Sequence, residues 1–283
     1  MRNTFFVCLL ALTCTCTTAR ETTYTGSTLT HRAVRDFLGI SLTDSVDFIR
    51  WTLVIRDNKY VLNCQYGIGK AGTNGFINEK RVELTGALSI KGFCYTLLYG
   101  KKALSILAIN ANLLHLLDEN NHLLVGNGGF SYTLNRKDPV QTDQFNLKVA
   151  QVPVKDSMLF EGRTPCQPLS SIAGIERSPA CDKIKWYILL YTDSHSSETG
   201  YYLEGPIGYG RARMHKGKWQ IIHGKDDRLI YKLEPDKEAY AYYLLKADDN
   251  ILLFTDPQGH LLVGNENFSY TLNRQSEARM ASR

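Results

Sequence analysis

The sequence predicts an all-β protein built as two tandem small antiparallel meander β-barrels. Three observations carry this. First, HLLVGNGGFSYTLNR (His122 to Arg136) returns as HLLVGNENFSYTLNR (His260 to Arg274), changed only where Gly128–Gly129 become Glu266–Asn267. Second, the apolar residues alternate with period two: Ile49, Trp51, Leu53 and Ile55 share one face, and Ile184, Trp186, Ile188 and Leu190 share another. That spacing belongs to half-buried strands. Third, turn signals recur along both halves (RDNK, AGTNG, LYGKK, DENN, then HGKDD, EPDKE, DPQG, GNEN), as in sandwiches and small barrels.

The chain opens on MRNTFFVCLLALTCTCTTARE, with Arg2, an apolar run from Phe5 to Leu12 and then small residues. This order predicts a secretory signal over 1–19, too short to serve as a membrane-spanning helix. Cys14 and Cys16 raise lipid attachment as an alternative, the only membrane link the sequence suggests. Thr-rich residues 20–33 read as a flexible leader, and a short helical turn is expected over Thr30 to Phe37.

The first barrel is expected over 34–136 and the second over 159–274. FIRWTLVIRDNKYVL corresponds to KIKWYILLYTD, so that Trp51 matches Trp186. FCYTLLYGKKALSILAINANLLHLLDENN corresponds to LIYKLEPDKEAYAYYLLKADDNILLFTDPQG. Residues 137–158, with two prolines among polar residues, read as a linker, and 275–283 as a disordered tail. Within the repeated sentence, LLVG is expected as a strand and SYTLNR as the closing strand. Gly126, Asn127, Gly264 and Asn265 are expected to supply the positive φ of the turn between them.

Hydrophobic residues make up 43% of the chain and charged ones 22%, a globular composition. The net charge of +5 is spread among acids rather than gathered in a basic stripe, which argues against nucleic acid. Beyond the signal the cysteines are Cys64, Cys94, Cys166 and Cys181, two per half. In an oxidising compartment the favoured pairing is local, Cys64–Cys94 and Cys166–Cys181, with zinc or copper ligation as the alternative. No CxxC or HxxxH accompanies them, so no metal or cofactor is assigned.

GRTPCQPLSSIAG (Gly162 to Gly174), followed by KIKWYILLYTD and later by LLFTDPQGHLLVG, resembles the N-terminal barrel of the copper-resistance and envelope-stress lipoproteins called NlpE-like. That family is similar in shape to lipocalins. The resemblance implies a small envelope β-barrel. It does not carry over the family's Cys-x-x-Cys, because Gln167, Pro168 and Leu169 follow Cys166. It also implies that an arginine of the last strand packs over a tryptophan near the start: Arg136 with Trp51, and Arg274 with Trp186. A guanidinium over an indole is worth about 0.5–2 kcal/mol. The first repeat shows no Gly-Arg-Thr-Pro-Cys element, its counterpart being read as FLGISLTDS.

No catalytic elbow, phosphate loop or His-Glu-x-x-His is present, and the seven histidines are dispersed. The reading is therefore a non-enzymatic exported protein of the periplasm or cell envelope, with a binding or envelope-homeostasis role. Its expected partner is an envelope protein or a small apolar ligand. The alternatives are a lipocalin-like carrier and a copper-binding sensor. The copies diverge most over Asn63–Gly92 and Pro165–Gly224, so a binding region is expected near Arg163, Cys166, Cys181, Tyr201 and Tyr202.

Overall fold

A computed structural model of the chain describes residues 21–147, 157–172, 181–192, 199–204, 215–236 and 240–276. The expected signal and most of the expected tail lie outside these residues. Two eight-stranded antiparallel sheets each close into a barrel. The first contains β1 (Thr22–Thr28), β2 (Phe48–Arg56), β3 (Lys59–Gly69), β4 (Phe76–Lys91), β5 (Cys94–Tyr99), β6 (Lys102–Ala108), β7 (Leu113–Leu116) and β8 (Thr133–Arg136). The second contains β9 (Ser157–Pro165), β10 (Lys183–Thr192), β11 (Thr199–Glu204) and β12 (His215–His223). It continues through β13 (Leu229–Pro235), β14 (Tyr242–Lys246), β15 (Ile251–Thr255) and β16 (Thr271–Arg274). Each strand pairs with the next, and the first strand of each barrel also pairs with the last.

The alternation read from the sequence points inward as expected. Ile49, Trp51, Leu53, Leu62, Leu97, Leu116 and Leu134 are fully buried in the first barrel. In the second, Ile184, Trp186, Ile188, Leu190, Leu244, Leu252 and Phe254 play the same part. An eight-stranded barrel has room either for its own side chains or for one small ligand, and here the inward positions carry bulky apolar groups.

The flexible leader expected over 20–33 is instead the first strand and the start of a helix. Thr22–Thr28 pairs with Ile55–Ile49 on one side and with β8 on the other, so the first barrel begins at Thr22. A run of threonines around Tyr24 suits a pleated surface, and reading it as polar chain overlooked that propensity. Helix α1 (Arg32–Leu38) follows, capped by His31, whose side chain accepts from Ala33 N–H, and ended by Gly39 in the left-handed region. It buries Val34, Phe37 and Leu38 at that end of the barrel. The short helix α2 (Leu169–Ile172) occupies the same place in the chain after β9.

Cys166 and Cys181 form a disulfide that ties the end of β9 to the chain entering β10. The bridge expected between Cys64 and Cys94 is absent, and both thiols are free. Cys64 lies opposite Val82 and Cys94 opposite Lys91, so nine residues of β4 separate their rows and β4 itself lies between them. That is far beyond the ~7 Å Cα separation a disulfide tolerates. Burial pushes the Cys64 thiol well up, whereas Cys94 is partly exposed. Treatment of the folded protein with a maleimide should therefore label Cys94 and leave Cys64 unmodified until denaturant is added. Equal labelling rates at the two thiols would refute this placement.

Candidate functional site: the barrel–barrel interface

The repeated sentence lies where the two barrels meet, and it meets its own copy. Ser131 Oγ and Ser269 Oγ are hydrogen-bonded at 2.7 Å, and Thr133 Oγ1 and Thr271 Oγ1 at 2.9 Å. Each pair joins equivalent residues, 138 apart in the chain. Phe130 stacks on Phe268, with centroids 6.2 Å apart. The glycine–asparagine contacts form an exchanged pair. Gly126 N–H donates to Asn273 Oδ1 at 2.7 Å, and Gly264 N–H to Asn135 Oδ1 at 2.8 Å. A contact set in which i meets j and j meets i is that of a two-fold dimer, here within one chain.

The local chemistry explains why this sentence tolerates so little change. Gly126 and Gly264 do not adopt positive φ, contrary to the turn expected from the sequence. They are needed for close approach: a Cβ would sit 2.1 Å from the Phe130 carbonyl oxygen at Gly126, and 2.2 Å from that of Phe268 at Gly264. Asn127 Oδ1 accepts from Gly129 and Phe130 N–H, and Asn265 Oδ1 from Asn267 and Phe268 N–H, so both turns are held by an asparagine side chain. LLVG does not form the expected ladder strand and contributes one isolated bridge per copy, Leu117 to Leu123 and Thr255 to Leu261. Asn135 and Asn273 are almost fully buried, not displayed.

Below this polar seam lies an apolar one. Ile109 and Leu113 of the first barrel join Ile230, Leu245, Ala247, Ile251 and Leu253 of the second in one buried cluster. The connecting segment is part of it. Phe145 and Leu147 pack on the cluster, Arg228 lies over the Phe145 ring at 5.1 Å, and Asn146 N–H donates to the Ile109 carbonyl. Asp143 accepts from Lys225 at 3.0 Å and meets His260 at 3.1 Å. The hydrogen bond from Lys225 holds the Asp143 carboxyl below its ordinary value, and Asp256, then Asp143, raise His260 above its own. The described part of the expected linker is thus anchored to both barrels.

One buried group breaks the symmetry. His115 of β7 faces the interface where the second barrel has Leu253. Its Nε2 lies 2.9 Å from the Leu124 carbonyl oxygen, which can only accept, so Nε2 carries the proton. Nδ1 then accepts from Thr133 Oγ1 at 2.9 Å, and Thr133 in turn accepts from Thr271. A directed chain of hydrogen bonds thus crosses from the second barrel to the first. Burial lowers the His115 pKa from 6.5 to about 4, opposed by the bond to Leu124.

The residues singled out from the sequence are placed as follows. Trp51 and Trp186 sit in the cores, but neither is covered by its arginine. Their indole N–H groups donate to Thr28 Oγ1 at 2.8 Å and to Thr164 Oγ1 at 2.9 Å. Arg136 and Arg274 reach the carbonyl oxygens of Ala111 and Asp249 instead. Trp51 is drawn along β1 toward Thr28, whereas Arg136 pairs with Tyr24 nearer its other end, so the closure implied by the resemblance does not form. The same geometry identifies Gly26-Ser27-Thr28 as the first barrel's counterpart of Gly162-Arg163-Thr164, correcting the match to FLGISLTDS. Gly26 faces Trp51 and Gly162 faces Trp186.

The expected binding region is not one place. Cys166 and Cys181 flank the Pro165–Lys183 pair, whereas Tyr201 lies opposite Leu190 at the far end of β10. Seven residues of strand separate those rows, roughly 23 Å at 3.3 Å per residue. Tyr202 is opposite Leu189; the side chains of Tyr201 and Tyr202 lie outside the described residues. Arg163 faces the first barrel near Gly129, and burial lowers its pKa. Among the described residues, no three His, Cys, Asp or Glu side chains gather as a metal site. No protein-family model, curated protein or solved structure matches the chain.

Proposed function

We propose that this is an exported, non-enzymatic two-barrel protein of the periplasm or cell envelope that acts through its outer surface, in a binding or envelope-homeostasis role. The filled interior is the observation that carries this reading. Trp51, Leu53, Leu62 and Leu97 occupy the space in which a carrier would hold its ligand, and all are fully buried. The Cys166–Cys181 bridge fits an oxidising compartment and agrees with the signal-like N-terminus. It also commits two of the thiols that copper would need, which favours the envelope role of the NlpE-like resemblance over its metal chemistry. With the two barrels joined face to face, the outer walls are the surfaces left to a partner.

Native mass spectrometry of the protein purified from its own envelope tests this. The expected mass is that of the processed chain less the hydrogens lost to one disulfide, with no adduct. A stoichiometric organic or metal adduct would replace this reading with a carrier or a metal-binding protein.

A further inference from the structure

The segment that leaves the first barrel after β8 is fastened to the second barrel at one carboxylate. Asp143 Oδ2 accepts from Lys225 Nζ at 3.0 Å, and its Oδ1 lies 3.1 Å from His260 Nε2. The backbone carbonyl of the same residue accepts from Arg228. Two residues on, Phe145 lies under the Arg228 guanidinium and, with Leu147, packs on the buried cluster that includes Ile230, Leu245 and Leu253. The segment is thus a strap, with Asp143 as its polar pin and Phe145 and Leu147 as its apolar foot.

His260 is shared between two carboxylates. Its Nδ1 lies 2.8 Å from Asp256 Oδ2 in its own turn, and its Nε2 faces Asp143 on the strap. The imidazolium donates to both. A neutral imidazole carries one N–H, so it serves one carboxylate and turns a lone pair towards the other. The bond to Asp256 is the shorter, and Asp256 Oδ1 is fixed by the Gln258 and His260 N–H groups. The neutral ring therefore keeps Asp256 and loses Asp143. Lys225 and Arg228 do not depend on the ring, and Asp226, the remaining charge at this corner, meets Arg228 at 3.4 Å. Asp256 first, and then Asp143, raise the His260 pKa, so the ring changes charge above pH 6.5. The first barrel repeats the turn without the strap. His122 lies 3.4 Å from Asp118, and no second carboxylate meets it among the described residues.

We propose that His260 is a pH-operated clasp for this strap: the imidazolium pins Asp143 to the second barrel, and loss of its proton slackens the strap over the apolar wall beneath Phe145 and Leu147. His260 is part-exposed, so it exchanges its proton with solvent while the barrels stay closed. The slackening is partial, because Lys225 and Arg228 remain on Asp143. The repeated histidine becomes a fastener in the second copy alone, through the arrival of Asp143.

Amide hydrogen exchange on the whole chain tests this. The Asn146 N–H donates to the Ile109 carbonyl at 2.9 Å and so reports the strap. Its protection factor, corrected for the intrinsic pH dependence of exchange, should fall several-fold as pH rises from about 6 to about 9. The amides of β2 and β10, in the two barrel walls, should keep theirs. His260→Gln should abolish the fall and hold Asn146 at the lower protection throughout, whereas His122→Gln, at the equivalent turn, should behave as the parent. A flat profile in the parent, or the same fall in His260→Gln, would overturn the clasp. A parallel fall in β2 and β10 would also overturn it, by placing the effect on global stability.

Discussion

An His115→Leu variant is expected to lose the part of the protein's acid sensitivity that falls between about pH 6.5 and about pH 4. His115 is fully buried, and its folded pKa is lowered, chiefly by desolvation. A lowered folded pKa means that the unfolded chain takes up the proton first. The stability linked to His115 is therefore complete above pH 6.5 and is lost as pH falls through that value towards about 4. At about 1.4 kcal/mol per pH unit, the full loss is about 3 kcal/mol. Protonation would also turn Nδ1 from acceptor to donor and reverse the Thr133–Thr271 chain, so the loss falls on the barrel–barrel contact.

Leucine is the informative replacement, because Leu253 already fills the equivalent position in the second barrel. It forfeits the bond to the Leu124 carbonyl at every pH, a constant offset of about 1–2 kcal/mol. The quantity to measure is the slope: unfolding free energy from denaturant melts at a series of pH values, parent against variant. The raised pKa of His260 acts with the opposite sign, its contribution fading as pH rises, and it is present in both chains, so the difference isolates His115. Parallel profiles for the two proteins would show that His115 is not the group responsible.

How far the sequence could be read follows from which contacts are local. The strand faces around Trp51 and Trp186 were legible because burial of one face imposes a period of two on consecutive residues. β1 was not legible, because only Tyr24 among its seven residues is large and apolar, and its inward Thr28 serves an indole N–H rather than a core. The arginine–tryptophan closure came from the resemblance, which carries residue types and not the direction in which the indole is pulled. The Cys64–Cys94 pairing failed because sequence proximity says nothing about a strand inserted between two others.

The interface was present in the sequence as an anomaly. In a lone barrel, outward positions are free to drift, yet Ser131, Thr133 and Asn135 recur as Ser269, Thr271 and Asn273 on the outward side as well as the inward one. Identity on both faces of a strand signals that both faces are buried. Only the knowledge that the second face meets the other copy was missing.

That meeting makes the two asparagines the pair whose removal should matter most. Asn135 and Asn273 each accept a backbone N–H from the opposite barrel, Gly264 and Gly126 respectively. Neither glycine N–H finds another partner across the seam, because the surrounding turn is already closed by Asn127 or Asn265. Replacing either asparagine with alanine orphans a part-buried donor, at about 1–3 kcal/mol each. The double variant Asn135→Ala with Asn273→Ala should lose about 2–6 kcal/mol if the two sites act independently. The loss should be larger for Asn135→Ala, whose Nδ2 also donates to the Asn265 carbonyl at 3.1 Å, than for Asn273→Ala, whose Nδ2 is buried without a partner. Amide hydrogen exchange reads this directly: the Gly126 N–H should gain exchange in Asn273→Ala and the Gly264 N–H in Asn135→Ala, each in the barrel that was not mutated. Faster exchange confined to the mutated barrel would mean that the repeated sentence stabilises each barrel separately, and that the two barrels are not held by it.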